Sequence, residues 1–330
     1  MTANRTLKKR KVPGKIGVGD GVFAFFLVFL LCLFLKNGVY AADALREGLT
    51  ICARSVVPSL FPFMVLSGMI LSSPLLTRAI AFLATPLQKW MKLSPTGAAA
   101  VCVGMGCGFP AGAVFAASAV KNGKMTREEM PRVLAAASNP SPAFFLGIVG
   151  KTLFHDTQKG LLLYGIVLAV QILVGGLLAR SQKRDRELFP AHIEPDARTV
   201  GKIASFTEAV GASARGMLTV CAYVVFFSAC AGAFRAFLDG IGCPATVQAG
   251  LFCLTELTGG CFAAAGLPSP ALSTALIAFA AGWSGLSVHF QLLTLTESTT
   301  DSYAVYWRAK LAQGILCAAV GFVLFKVAAF

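Results

Sequence analysis

The chain has 330 residues, of which 56% are hydrophobic and 13% charged; a soluble domain carries about a quarter charged residues. Its charges crowd into short segments and leave long stretches bare, which excludes an ordinary soluble domain and fits a protein crossing a membrane several times. The net charge of +14 does not point to nucleic acid, because the basic residues lie in a tail and in loops flanking apolar runs rather than on one face.

In chain order, an acid-free tail with Arg5, Lys8, Lys9, Arg10, Lys11 and Lys15 precedes an apolar run at 22–35. The small residues at 39–41 allow a signal-peptide reading, but with many spans following, retention as an anchor is expected. An apolar run at 49–71 comes next. The segment 78–92, RAIAFLATPLQKWMK, mixes basic and apolar residues and is expected to lie in the interface or to span poorly. Runs at 97–120, 133–153 and 161–179 follow, with Lys121, Lys124, Arg127 and Arg132 in the loop between the first two. A polar loop at 180–204 holds Arg180, Lys183, Arg184, Arg186, Arg198 and Lys202, and then come runs at 206–238, 246–266, 271–295 and 307–327. Basic flanks mark the cytoplasmic side, with contact to anionic lipid open to them. Tail and 180–204 loop are therefore both expected inside, separated by an even number of crossings. Either 78–92 crosses, or it lies flat and 97–120 is a re-entrant hairpin; the second arrangement also keeps the 121–132 loop inside.

The run at 97–120 contains GMGCGFPAG at its centre. Gly104, Gly106, Gly108 and Gly112 with Pro110 make a continuous helix costly. In hydrocarbon every backbone N–H and C=O needs a partner, so an unwound stretch must be buried in protein or line a wet cavity, where it can hold an ion or a polar group. Close packing through small residues is the alternative, and Pro110 weighs against it. A second irregular stretch is Ser138-Asn139-Pro140-Ser141-Pro142, which reads equally as a loop before a shorter span. A third is Glu256 with Thr255, Thr258, Gly259 and Gly260, and a fourth holds Trp283, Ser284, Ser287, His289 and Gln291. An ionisable group in the membrane needs a partner or a role. For Glu256 the candidates are an ion pair with Arg54 or Arg215, or a ligand or proton role; His289 reads as a packing residue. The candidate binding set is thus Gly106, Cys107, Gly108, Pro110, Gly112, Asn139, Ser141, Glu256, Thr258, Trp283, Ser284 and Ser287.

The ten cysteines form no CxxC pair and no metal-ligand spacing, so they read as small buried side chains, with Cys107 in the glycine break as the exception. P-loop, GxSxG and HExxH motifs are missing, so no enzyme, cofactor or metal is expected. An internal repeat is visible: Glu47, Ala53, Arg54 and Ser67 match Glu208, Ala214, Arg215 and Ser228 at a constant offset. A looser echo relates the 108–112 break to 282–286. Duplication with broken segments in both halves points to a transporter-like fold.

Several stretches, VVPSLFPFMVLSGMI, the segment from GMGCGFPAG through NPSPAFFLGIVG, FFSACAGAF, TELTGGCF and AGWSGLSVHFQ, together resemble the YlbJ family of sporulation integral membrane proteins, over roughly residue 47 to the end. Phe109-Pro110-Ala111-Gly112 fits that family's aromatic-Pro-x-Gly break, whereas Ser138-Asn139 departs from its doubled Asn. The resemblance implies a nucleoside-recognition Gate domain, kinship with the Gate domains of ferrous-iron transporters and with concentrative nucleoside transporters, and a role in spore cortex assembly. No residue constellation reads a nucleoside.

The resulting expectation is an all-helical polytopic membrane protein with two related halves, each with a broken or re-entrant helix. A basic cytoplasmic tail occupies 1–20, a first transmembrane helix 21–42, one Gate-like repeat 45–180, a cytoplasmic loop 181–204 and a second repeat 205–330. The chain is expected in the bacterial cell membrane, N-terminus cytoplasmic, as a transporter or gated permease for a small polar solute or ion. The alternative is a non-transporting scaffold for cortex or coat assembly. A membrane-embedded enzyme acting on lipid-linked precursors would need a catalytic pair that the sequence lacks. Partners expected are the lipid bilayer, a second copy or other sporulation membrane proteins, and no nucleic acid.

Overall fold

The computed structural model describes residues 18–180 and 202–328. The basic tail and nearly all of the basic 180–204 loop lie outside them. Every regular element among the described residues is helical. Four helices are long and apolar enough to cross a membrane, at Thr157–Arg180, Phe206–Gly240, Pro270–Leu295 and Ala304–Phe325, or five if a bent pair near the N-terminus is one span.

That bent pair is α1 (Val18–Lys36) and α2 (Gly38–Ile51), which meet at 94°. Asn37 at the bend donates its side-chain amide to the carbonyl of Ala233 (3.2 Å). A π-helical turn, π1 (Cys52–Val56), continues α2 into α3 (Val57–Ser72). Together they pack antiparallel along α10 (Lys202–Gly240): Gly48 abuts Ser228 at one end of the contact and Gly68 abuts Ala209 at the other.

The expected interfacial segment is two short helices, α4 (Pro74–Leu83) and α5 (Thr85–Met91). Each is too short to cross hydrocarbon, which takes about 20 helical residues. The 97–120 run is α6 (Pro95–Cys107) and α7 (Ala111–Lys121), folded back on each other. A methyl group on Gly112 would lie 2.7 Å from the Gly104 Cα; residues eight apart along one straight helix would be about 12 Å apart. Residues 130–153 are a broken element, α8 (Met130–Ala137) and the π-helix π2 (Phe144–Leu153), interrupted at 138–142. The chain then returns in α9 (Thr157–Arg180).

After α10 the same order recurs. The expected run at 246–266 does not cross but turns back as α11 (Ala245–Thr255) and α12 (Leu257–Ala265), and Cys253 donates its thiol to the Gly260 carbonyl (3.3 Å) across the turn. The cause is Glu256, whose extended backbone ends one helix and caps the next. A broken helix follows, α13 (Pro270–Trp283) and α14 (Gly285–Leu295), interrupted at Ser284, then the long α15 (Ala304–Ala328). Element order thus matches the 108–110 turn to Glu256 and the 138–142 break to Ser284. The echo drawn between 108–112 and 282–286 paired a hairpin turn with a broken helix and is corrected accordingly.

Helix starts follow from sequence. Ser73-Pro74, Ser94-Pro95 and Ser269-Pro270 each place a serine at the cap and a proline at the first helical position, and each serine hydroxyl accepts an amide of its first turn. Long contacts set the directions. Trp90 Nε1 donates to the Ile172 carbonyl (2.8 Å), near the end of α9, and Tyr164 donates to the Met105 carbonyl, near the α6–α7 turn. Accordingly α9 runs from beyond that turn back to the hairpin's base. At the base Glu129 accepts the Ser94 amide (2.6 Å), and Arg127 pairs with Asp301 (2.5 Å) and donates to the Ser298 carbonyl (2.7 Å). The base of α6–α7, the start of α8, the end of α9 and the α14–α15 loop therefore share one end of the molecule, the end that carries the basic 121–132 loop. The α11–α12 hairpin has its base at the other end, where Gln248 Nε2 donates to Asp239 in the last turn of α10 (2.7 Å). Spanning the two ends suits α10, whose 39 residues cover about 58 Å.

Candidate functional site

The two hairpin turns and the two helix breaks meet in the interior. At the first turn Gly108 has φ +76, a conformation a β-carbon resists, and a β-carbon there would lie 2.5 Å from the Ser141 Cα. Its neighbour Phe109, joined to Pro110 by a cis peptide bond, donates its amide to the Asn139 carbonyl (2.8 Å). The second turn reverses the arrangement: the glycine is on the broken helix. Gly285, φ +79, packs on the Glu256 backbone, with a notional β-carbon 3.0 Å from the Glu256 Cα. Ser284 Oγ lies 3.5 Å from the Ser138 carbonyl oxygen, bringing the breaks of the two broken helices together.

Broken helices free backbone groups that hydrocarbon cannot satisfy, and side chains supply partners. Carbonyls in the last turns receive Tyr164 Oη at Met105, Trp283 Nε1 at Leu254 (3.0 Å), Lys310 Nζ at Ser138 (3.0 Å) and Gln313 Nε2 at Ala135 (3.1 Å). Helix starts are capped by Ser141 Oγ, which accepts the Phe144 amide (3.2 Å), and by Glu256, whose carboxylate accepts the amides of Thr258 (3.0 Å) and Gly259. Glu256 therefore serves its own helix. No ion pair joins it to Arg54 or Arg215 among the described residues, and both arginines are exposed. The ion pair that was one of the two candidates for Glu256 is not formed, because amides two and three residues on lie nearer than either guanidinium.

Two spaces flank Glu256. A small, mainly apolar pocket of about 60 Å³ takes polar groups from Asn139, Ser141, Glu256, Thr258, Ser284, Ser287 and Gln291; its apolar wall includes Phe109, Phe144 and Ile148, with Val56, Leu60, Val220 and Val224 where α3 crosses α10. That volume suits about two waters. A wider cleft of about 820 Å³ lies between α2, α10 and the α11–α12 hairpin, lined by Asp43, Glu47, Arg235, Asp239 and Gln248 and reaching Thr255, Glu256 and Gly259.

Of the residues singled out from sequence, the structure gathers Asn139, Ser141, Glu256, Thr258, Ser284 and Ser287 around one pocket, with Gly108 against Ser141. Gly106, Cys107, Pro110, Gly112 and Trp283 do not line it. Gly112 packs on Gly104 and the Ala137 carbonyl, while Trp283 sits in an aromatic cluster, edge-on to His289 (4.3 Å between ring centres) and tilted against Trp307 (5.8 Å). His289 itself bonds the Tyr306 hydroxyl. Sequence reasoning missed Lys310 and Gln313, although a lysine inside the apolar run 307–327 was a signal in plain sight. It also missed Glu129, which is 5% exposed and bound to Ser94 from 35 residues away. Burial pushes the Glu129 carboxyl above its ordinary pKa, partly offset by the Ser94 hydrogen bond and the Arg132 charge.

No family model and no solved structure matches the chain. The chain is similar to sporulation integral membrane protein YlbJ of Bacillus subtilis (strain 168), with 24% identity over 342 aligned positions that cover 92% of this chain and 82% of that protein. An alignment leaving out so little must take in both series of hairpin, broken helix and long helix, and with them the residues that meet at the pocket. The likeness to that sporulation membrane protein thus runs over most of both chains, in keeping with the resemblance carried by the GMGCGFPAG and NPSPAFFLGIVG stretches.

Proposed function

We propose that the protein is a transporter or gated permease for a small polar solute needed in spore cortex formation, built from two related halves of opposite orientation. The observation that carries this reading is the small, mainly apolar pocket between two oppositely based hairpins and two broken helices, into which Asn139, Ser141, Glu256, Thr258, Ser284, Ser287 and Gln291 bring polar groups. Unwound backbone buried at mid-membrane depth is tolerated where it lines a cavity, and inverted pairs of broken elements around such a cavity characterise alternating-access carriers. In this reading the basic end faces the cytoplasm, the α6–α7 and α11–α12 hairpins are re-entrant from opposite sides, and the halves are Gate-like.

The two approaches to the pocket differ. On the basic side the first hairpin is held by Ser94–Glu129, and the halves are bridged by Arg127–Asp301. On the other side the wide cleft reaches Glu256 behind the second hairpin. The arrangement is that of a carrier closed toward the basic end, with the α11–α12 hairpin as the thin barrier between cleft and pocket. Movement of one half against the other would exchange which hairpin seals the pocket.

Uptake into proteoliposomes tests this, with Glu256→Gln and Gly108→Leu as impaired controls. Solute entry that depends on the protein and falls at least about tenfold in both variants, the scale of about 1.4 kcal/mol, supports it. Equal entry of every candidate solute with and without protein removes the transport reading for those solutes. The scaffold reading predicts the opposite pattern in sporulating cells: substitutions in the 121–132 or 181–204 loops abolish function and pocket substitutions are tolerated.

A further inference from the structure

Lys310 places an amine deep in the packed interior. It is among the largest fully buried side chains, at 0% exposure, two turns into α15. Among the described residues it makes no ion pair; the pairs there are Arg46–Asp43 and Arg127–Asp301. Its ammonium instead donates to the Ser138 carbonyl (3.0 Å) and to Asn139 Oδ1 (3.2 Å), just past the last turn of α8. A third oxygen, Ser138 Oγ, is buried with no hydrogen-bond partner among the described residues, and Ser284 Oγ comes within 3.5 Å of the Ser138 carbonyl from the other broken helix. The nearest acid of the adjoining pocket, Glu256, is bound to its own helix.

Capping alone does not require a charge here. Two other half-helix ends, at Met105 and Leu254, are served by the neutral donors Tyr164 and Trp283, and at Ala135 the α8 end itself takes the neutral donor Gln313. A neutral donor avoids the desolvation that a buried ammonium incurs. What distinguishes the α8 end is its set of hard oxygens: a carbonyl, a side-chain amide oxygen and hydroxyls, at the negative end of a helix dipole. Such a set at an unwound helix coordinates monovalent cations.

We propose that the Lys310 ammonium is a tethered cation, filling at the α8 break the place a dissociable sodium ion would otherwise take, so that the site needs no soluble cation. The inference concerns ion occupancy and goes beyond the transport reading; failure of the uptake assay leaves it standing, and its own failure leaves uptake unaffected.

The full chain in nanodiscs, in sodium chloride against choline chloride at equal ionic strength, provides the test. Wild type should show no sodium-specific change in Tm and no bound radioactive sodium. Lys310→Ala should lose roughly 5–15 °C in choline, as a buried network loses one partner. It should regain about half of that in roughly 100 mM sodium, through binding linkage. Adding Asn139→Leu should abolish the sodium response, and Lys310→Met, whose side chain refills the space, should lose stability without it. Sodium-specific stabilisation of wild type overturns the proposal, as does a folded Lys310→Ala that ignores sodium. If Lys310→Ala folds only when purified in sodium, the proposal is supported; if it folds in neither salt, it is overturned.

Discussion

Glu129 shows what one side chain contributes at the basic end. Its carboxylate holds the Ser94 amide at the start of α6 while sitting at the start of α8, so one residue joins the hairpin to the broken helix. The joint is sensitive to pH. Burial raises the folded-state pKa above the ordinary 4.5, so the folded chain binds more protons than the unfolded chain between the two values. Stability should therefore fall as pH rises from 4.5 through the folded value and be flat on either side. Thermal unfolding across that window should show the decline in wild type. Glu129→Gln retains an acceptor for Ser94 and cannot titrate, so its curve should lack that component; an unchanged slope would show that Glu129 does not cause it. At this scale sequence reading singled out Glu256, a residue type that announces itself, but not the self-capping it performs. It did poorly for Glu129 and Lys310, whose burial depends on partners 35 and 172 residues away.

The hairpins and broken helices are decided by a few residues each. The four glycines of GMGCGFPAG are not equivalent. Gly106 has open space where a β-carbon would go, whereas Gly108 has a positive φ and backbone within 2.5 Å of a notional β-carbon. Gly106→Ala should therefore be tolerated or should stabilise by about 0.5–1 kcal/mol, the helix-propensity difference. Gly108→Ala should lose several times that, because Ser141 and the Asn139 carbonyl would have to move. Comparative unfolding in one detergent measures both; equal effects would mean that the turn is not packed as described. Breaks were legible because glycine, proline and a buried acid disrupt helices whatever surrounds them. Whether a broken run crosses or turns back was not, as 246–266 shows: its apolar composition suits a span, Glu256 makes the break, and the close contact of Cys253 with Gly260 holds α11 folded back on α12.

For the whole molecule, the repeat read from sequence has a geometric counterpart. Glu47 and Glu208 share an offset with Gly48 and Ala209 and with Ser67 and Ser228. The crossing of α2–π1–α3 with α10 places Gly48 on Ser228 and Gly68 on Ala209, which is how two antiparallel copies meet about a shared axis. If the halves are so related, the two contacts are near copies of each other. In a background without native cysteines, the Gly48→Cys/Ser228→Cys and Gly68→Cys/Ala209→Cys pairs should both form disulfides under mild oxidation: their notional Cβ separations of 2.9 and 3.1 Å need to open by less than about 1 Å to reach disulfide geometry. Cross-linking of one pair alone would show that the crossing is not symmetric.

Composition and local chemistry were enough to establish a helical membrane protein, the positions of its apolar runs and the places where helices must break, since each depends on neighbours a few residues away. The convergence of both hairpins on one pocket, the self-capping of Glu256 and the burial of Lys310 against the α8 end were decided by tertiary structure. Those contacts join groups 146 or more residues apart, as in Ser284 with Ser138, or choose among several partners equally available to an unfolded chain. Distance and competition of that kind leave no local trace, because the free energy that selects one partner arises only when water and lipid are displaced from all of them at once.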